Sequence, residues 1–391
     1  MKILHLIYTN GIAGAEKYLK HLLPPLKNQG IECHLIMVCA PGFESPLKIY
    51  CSQLQGSGIP STLEISTRQG FFNTARKIAL YLKKHNISYL HSHLLNSDVL
   101  ATIVKNIFFR NLVIISTKHG YKESVLNKII NSSVSPSLKE EAKNEFYYKV
   151  TRYVINHANY NYAVSKALSE FYFELGLSDE KMQYIHHGVN IKGQENSGVL
   201  QDRLVSGKQL IIVGRLEEFK GHQYLINAMP LVLEKFPDCK LNIIGNGSQK
   251  EFLQQLSVDL NIDKNIHFMG YINDPYSYVM NSDIIILPSL FEPFGLVYIE
   301  AFALSTPVVA FDTPAGNEIM EDKKTALLVK PGDTQQLAEK IIFLLDNPDV
   351  AKAMAERAYS EYQDNFTTTR MVKDTVAYYK KIEEDMQSVD R

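Results

Sequence analysis

Short apolar runs rich in β-branched residues alternate with longer amphipathic stretches along most of the chain. In the first half the runs fall at 3–8, 31–39, 89–93, 112–117, 160–164 and 182–186, with helix-period segments such as 15–28, 73–85 and 96–109 between them. Runs that are apolar almost throughout predict strands covered on both faces, the mark of a parallel sheet with helices above and below. The alternation pauses over 191–208, where Gly193, Gly198 and Gly207 sit among polar residues without periodicity, and this reads as an interdomain linker. It resumes with runs at 210–214, 239–245, 266–269, 283–288, 307–311 and 326–329, and the remainder reads as helix only. Two doubly wound α/β domains follow, each with ligands expected at the carboxyl ends of its strands, and the cleft between them is the expected site. The polar segment 122–143 follows a strand end and is a candidate acceptor loop.

A length of 391 residues supports two domains rather than one core. No apolar run approaches the roughly 20 residues that a bilayer span needs. The opening run at 3–8 is too short for a signal peptide and contains His5, so a buried first strand explains it better. Four cysteines without CxxC spacing point to reduced thiols in the cytoplasm. Net charge is −1 but uneven: residues 1–200 carry 22 Lys and Arg against 14 Asp and Glu, net +8, and the rest carries 19 against 28, net −9. The basic half suits an anionic partner such as an acidic membrane surface. Nucleic acid is not expected, because no Lys/Arg cluster interleaves with aromatics.

The segment FEPFGLVYIEA, 291–301, carries the most chemistry. An apolar strand runs into a loop, and a helix opens near Gly295; backbone N–H groups at a helix start form an anion site. Glu292 precedes that helix, and Glu300 lies about five residues into it, a distance of about 7–8 Å that suits a ribose next to a bound diphosphate. In the stretch 211–228 a strand ends at Gly214, Arg215 sits at its carboxyl edge, and Lys220 is expected to open the next helix. A cation there opposes the helix dipole and calls for an anion, which a diphosphate supplies. The loop 9–19 carries Gly11 and Gly14 after the first strand, without the G-x-G-x-x-G spacing of a dinucleotide site. His119 follows an apolar strand directly, at the carboxyl edge of the sheet, and is a candidate for a site role in the cleft; His93, Lys118 and Lys122 are candidates for acceptor or cleft contacts. No D-x-D, H-E-x-x-H, Cys/His metal spacing, P-loop or G-x-S-x-G elbow occurs, so no metal or cofactor is expected.

Together these residues resemble glycosyltransferase family 4, the retaining group with the GT-B fold. GRL…KG (214–221), the acids Glu292 and Glu300 and AGNEI (315–319) fall in the family's order, and YAVSKALSE (162–170) and HHGVN (186–190) extend the likeness over nearly the whole chain. The resemblance implies an acceptor-binding domain of 1–190 completed by a helix at 370–391, a linker at 191–208, and a donor-binding domain of 209–369. It implies that Arg215 and Lys220 neutralise the donor diphosphate, Glu300 holds the ribose, and Glu292 and the backbone of Phe294, Gly295, Leu296 and Val297 meet sugar and phosphate. His119 would lie at the reacting centre, Gly14 and Gly214 near the phosphate, and Tyr271 near the base. The loop departs from the family pattern at Ala13, where a second glycine is usual; His187 and Asn190 replace the usual Asn and Asp.

The implied activity is transfer of a sugar from a nucleoside diphosphate-sugar, UDP favoured and GDP second, to a hydroxyl of a glycan or lipid-linked acceptor. Retention of configuration, metal independence, cell-surface polysaccharide or glycolipid synthesis, and work at the inner face of the cytoplasmic membrane belong to the same expectation. No acid is placed convincingly for a covalent intermediate, and the resemblance implies attack on the same face assisted by the leaving phosphate. The alternative is a non-catalytic nucleotide-sugar-binding partner subunit; a dinucleotide oxidoreductase is disfavoured by the missing fingerprint.

Overall fold

The computed structural model describes residues 1–66, 70–121, 146–191 and 207–389. Lys122, the segment 122–143 and most of the stretch 191–208 therefore lie outside the described residues. The chain divides into two compact units. The first holds the described residues of Met1–Tyr121, Ser135–Gly188 and Thr368–Arg391, and the second those of Lys122–Val134 and Val189–Thr367.

The first unit is built on a seven-stranded sheet in the order β3-β2-β1-β4-β5-β6-β7, from β1 (Lys2–Tyr8), β2 (Glu32–Cys39), β3 (Ser61–Ile65), β4 (Tyr89–His93), β5 (Val113–Lys118), β6 (Tyr160–Ala163) and β7 (Gln183–Tyr184). Every pairing is parallel. The central strands are buried on both faces, as the near-continuous apolar runs predict: five consecutive residues of β1 and all six of β5 are buried, the polar His5, Ser116, Thr117 and Lys118 among them. The edge strand β3 is half exposed, with the sequence STLEI, and the apolar pattern gave no sign of it. Helix Gly14–Asn28 lays Tyr18, Leu19, Leu22 and Leu26 on one face of the sheet. Met371, Val372, Tyr379 and Ile382 of helix Thr368–Val389 enter the same core. Each such apolar side chain contributes about 1.5–3 kcal/mol on burial.

The second unit has a six-stranded parallel sheet in the order β10-β9-β8-β11-β12-β13. Its strands are β8 (Gln209–Val213), β9 (Lys240–Ile244), β10 (Ile266–Gly270), β11 (Ile284–Leu287), β12 (Val308–Phe311) and β13 (Leu327–Val329). Strand order reverses direction beside β8, and that is where an open α/β sheet presents its ligand crevice, outside the carboxyl ends. Among the described residues, no helix is long and apolar enough to cross a membrane.

Candidate active site

At the carboxyl edge of the second sheet, three loops are fastened together by glycines and main-chain bonds. After β8 the chain passes Gly214 and Arg215 and makes one 3₁₀ turn, Glu218–Lys220. Gly221 then turns left-handed at φ +74°, and only at His222 does the long helix His222–Lys235 begin. Lys220 therefore precedes the helix instead of opening it, a correction forced by the left-handed glycine. A Cβ on Gly221 would stand 1.8 Å from the Pro288 carbonyl oxygen, so only glycine lets this turn lie against the loop after β11. Leu290 N–H donates to the Phe219 carbonyl at 2.7 Å and fixes the register of the two loops. Across that junction Lys220 Nζ meets Glu292 Oε1 at 2.5 Å, and Ser289 Oγ donates to the same oxygen at 2.9 Å. The anion that Lys220 faces in this structure is thus Glu292.

Arg215 is exposed and lies over the Phe219 ring, 5.7 Å from its centroid, while Lys220 Nζ is 5.5 Å from the same centroid. One buried aromatic ring thereby gathers both cations. The loop after β9 closes on them: Leu216 N–H donates to Asn246 O at 3.0 Å, and a Cβ on Gly245 would come within 1.8 Å of the Gly214 oxygen. His222, behind Lys220, is buried with no hydrogen-bond partner on either ring nitrogen among the described residues, and burial pushes its pKa down to about 3. Gly221→Ala is expected to cost about 1–3 kcal/mol from its backbone conformation alone. A denaturation midpoint unchanged in that variant would show that the turn relaxes freely.

The second half of the site is helix Leu296–Ala303, whose N-cap is Gly295 at φ +102°. A Cβ there would strike the Tyr298 ring at 2.3 Å, so the sharp entry into the helix needs glycine. The first N–H groups of the helix have no acceptor within it. Phe294 is buried beneath this turn, and Leu296 and Val297 are partly exposed on it. Glu300, one turn on, is buried and accepts from the Tyr276 hydroxyl at 3.3 Å. Tyr276, pushed above its ordinary pKa mainly by burial, was not singled out by sequence, and neither was Ser289. Tyr271 follows Gly270 at the end of β10 and is 61% exposed.

The first unit carries a different constellation. Strands β1 and β4 set His5 opposite His91 and Ile7 opposite His93, and His93 is also opposite Thr117 of β5. His119 follows β5, and its Nε2 lies 3.0 Å from His93 Nδ1. His93 Nε2 lies in turn 3.1 Å from His5 Nδ1. His91 is occupied on both nitrogens, by Tyr379 OH and Thr117 Oγ1, each at 2.6 Å. Tyr18 stacks on His187 at 4.6 Å and meets His119 edge-on at 5.1 Å. Gly14 opens the helix that delivers Tyr18, with Glu16 capping the Ala13 N–H at 2.7 Å. Lys118, expected as an acceptor contact, is instead 4% exposed and committed to the core. It donates to Asp98 Oδ2 and Ser116 Oγ, each at 2.7 Å, while Ser92 and Ser116 donate to Asp98 Oδ1.

Burial holds these imidazoles neutral: His5 and His119 are pushed down to about 3, and His91, His93 and His187 well below the ordinary value. Between about pH 3 and pH 6.5 the unfolded chain binds more protons than the folded one. The stability these rings leave intact above pH 6.5 is therefore lost as pH falls. Among the described residues the second unit has one ring so shifted, His222. Hydrogen exchange at falling pH is expected to open the first unit before the second; equal loss in both would contradict this.

Residues 12–192 match the model described as Glycosyltransferase Family 4, and residues 202–361 match Glycosyl transferases group 1. The chain belongs to glycosyltransferase family 4. This family 4 chain is 29% identical over 233 residues to an uncharacterized glycosyltransferase of Methanocaldococcus jannaschii, covering 56% of the chain and 58% of that relative. The match thus spans less than two thirds of the relative. A Campylobacter jejuni enzyme is 28% identical over 258 residues, 64% of the chain and 68% of the enzyme; its name is N-acetylgalactosamine-N,N'-diacetylbacillosaminyl-diphospho-undecaprenol 4-alpha-N-acetylgalactosaminyltransferase. Among solved structures, Anabaena HepE in complex with UDP-glucose superposes with a TM-score of 0.78 at 20% identity, over 97% of this chain and all of that one. That likeness bears on the fold, and the two parallel-sheet Rossmann-like domains are of the GT-B type.

Proposed function

We propose that this chain transfers a sugar from a nucleoside diphosphate-sugar to a hydroxyl of a glycan or lipid-linked acceptor, with retention at the anomeric carbon. UDP-sugar is the first donor and GDP-sugar the second. The observation that carries the reading is the junction of Lys220, Arg215 and Glu292 around Phe219, beside the helix start at Gly295. Two cations and the N–H groups of a helix's first turn at one sheet edge suit a diphosphate. Glu300, one turn along, suits the ribose, the exposed Tyr271 suits the base, and Glu292 suits the transferred sugar.

In this reading the bond from the anomeric carbon to the leaving phosphate oxygen breaks while the acceptor oxygen attacks from the same face. The acceptor proton passes to the leaving phosphate. Arg215, Lys220 and the helix N–H groups hold the charge that develops, without a metal. His119 is assigned to the reacting centre. HepE's complex with UDP-glucose supports the choice of nucleotide, and the undecaprenyl diphosphate in the Campylobacter enzyme's name supports a lipid-linked acceptor. Such an acceptor, with the basic first 200 residues, supports work at the inner face of the cytoplasmic membrane in surface glycan synthesis.

The test is a thermal-shift panel of UDP, GDP, ADP and their sugars. A ligand at 100 times its Kd adds about 2.7 kcal/mol, a readily measured shift. UDP and UDP-sugars are expected to give the largest response. No response to any nucleotide would sink the reading.

A further inference from the structure

Three imidazoles of the first unit form a linear hydrogen-bonded series: His119 Nε2 to His93 Nδ1 at 3.0 Å, and His93 Nε2 to His5 Nδ1 at 3.1 Å. At its two ends His119 Nδ1 and His5 Nε2 are buried and have no hydrogen-bond partner among the described residues. A neutral imidazole carries one N–H and one lone pair, so His93 donates to one neighbour and accepts from the other. Only two arrangements keep both bonds. Either all three rings carry the proton on Nε2, or all three carry it on Nδ1. The donor or acceptor character of His119 Nδ1, the one nitrogen of that ring outside the series, is thereby tied to a ring two positions away.

We propose that His93 and His5 are positioning residues that couple the tautomer of His119 to their own, so that its Nδ1 meets a substrate hydroxyl in the sense the whole series adopts. This rests on the assignment of His119 to the reacting centre. The backbone supports a held geometry: Leu94, next to His93, sits at φ +72°, ψ +154°, a region that is essentially glycine's and persists only where the surroundings over-determine it. The environment supports three neutral rings. Lys118, Tyr18 and His187 face His119, and His91 lies against both His93 and His5. The one cation among these, Lys118, is paired with Asp98. A cation held by His5, His91 and His93 is the rival use of the cluster, since their ligand atoms lie within 4.8 Å of one another. Both nitrogens of His91 are already bonded to hydroxyls, which leaves two rings and no anion for such an ion.

The test is ¹⁵N NMR of the full chain with labelled histidine at pH 7, assigned through single His variants. His5, His93 and His119 are expected to be neutral and to share one tautomer. A mixed set, or a protonated ring among them, overturns the proposal, as does zinc binding that perturbs all of His5, His91 and His93. Turnover gives the second arm. His93→Phe keeps ring volume and makes neither bond, and a five- to tenfold loss of kcat is expected, the worth of about one hydrogen bond. KM for the donor should stay unchanged. His93→Asn places an amide near the Nδ1 position and is expected to restore most of the loss. Equal losses in the two variants would mean packing alone, and would overturn the proposal. His5→Phe repeats the test from the far end should His93→Phe not fold. The NMR arm needs no turnover, so a chain that fails to bind UDP but shows one shared tautomer would separate failure of the proposed function from failure of the series.

Discussion

Lys220→Ala is expected to lower kcat by roughly 10²–10³, the usual effect of removing one preorganised donor from a developing negative charge. In the resting structure the ammonium is held at 2.5 Å by Glu292, which is itself fixed by Ser289. The cation is therefore placed before any donor arrives, and little reorganisation is left for the reaction. Arg215→Ala is expected to act with similar size, because Phe219 sets both cations at one edge. Steady-state kinetics with the nucleotide-sugar that gives the strongest thermal shift measures both. Full activity in both variants would refute the assignment of the leaving group to this edge.

Asp98→Ala is expected to destabilise the first unit by about 3–5 kcal/mol, because it strands a buried ammonium. Asp98 and Lys118 have side chains 5% and 4% exposed, and the carboxylate also takes two serine hydroxyls. Replacing both partners, Asp98→Leu with Lys118→Met, should recover much of the loss, since two apolar groups of similar volume leave no orphaned charge. Urea denaturation of the three proteins decides it. A single variant within about 0.5 kcal/mol of the parent would show that Lys118 finds water or another acceptor.

The difference between these two cases shows what the sequence could tell. Most strands of both sheets were legible because parallel strands buried on both faces read as near-continuous apolar runs, as in β1 and β11. Strand β3 was not legible because an edge strand keeps polar residues on its exposed side. The Glu292–Gly295–Glu300 segment was legible because its residues are local to one strand-to-helix turn. Lys118 was misjudged because its partner lies 20 positions away on another element. The series of His5, His93 and His119 was equally hidden, since strand register alone brings these residues together. Lys220 was placed in the helix because Gly221, the one sign of a left-handed turn in Lys-Gly-His, also occurs inside helices and at their starts.

Helix Thr368–Val389 supplies Met371, Val372, Tyr379 and Ile382 to the core begun by β1 and helix Gly14–Asn28. The ribosome makes that helix only after all of 189–367, a delay on the order of ten to forty seconds at 5–20 residues per second. The part of the protein that is translated first is thus the last to be finished. By the end of that interval the second unit has everything it needs to fold, while Leu19, Leu22 and the Tyr18 side of the first have waited uncovered throughout. Nascent chains stalled before residue 368 should be the form that trigger-type chaperones hold and proteases cut.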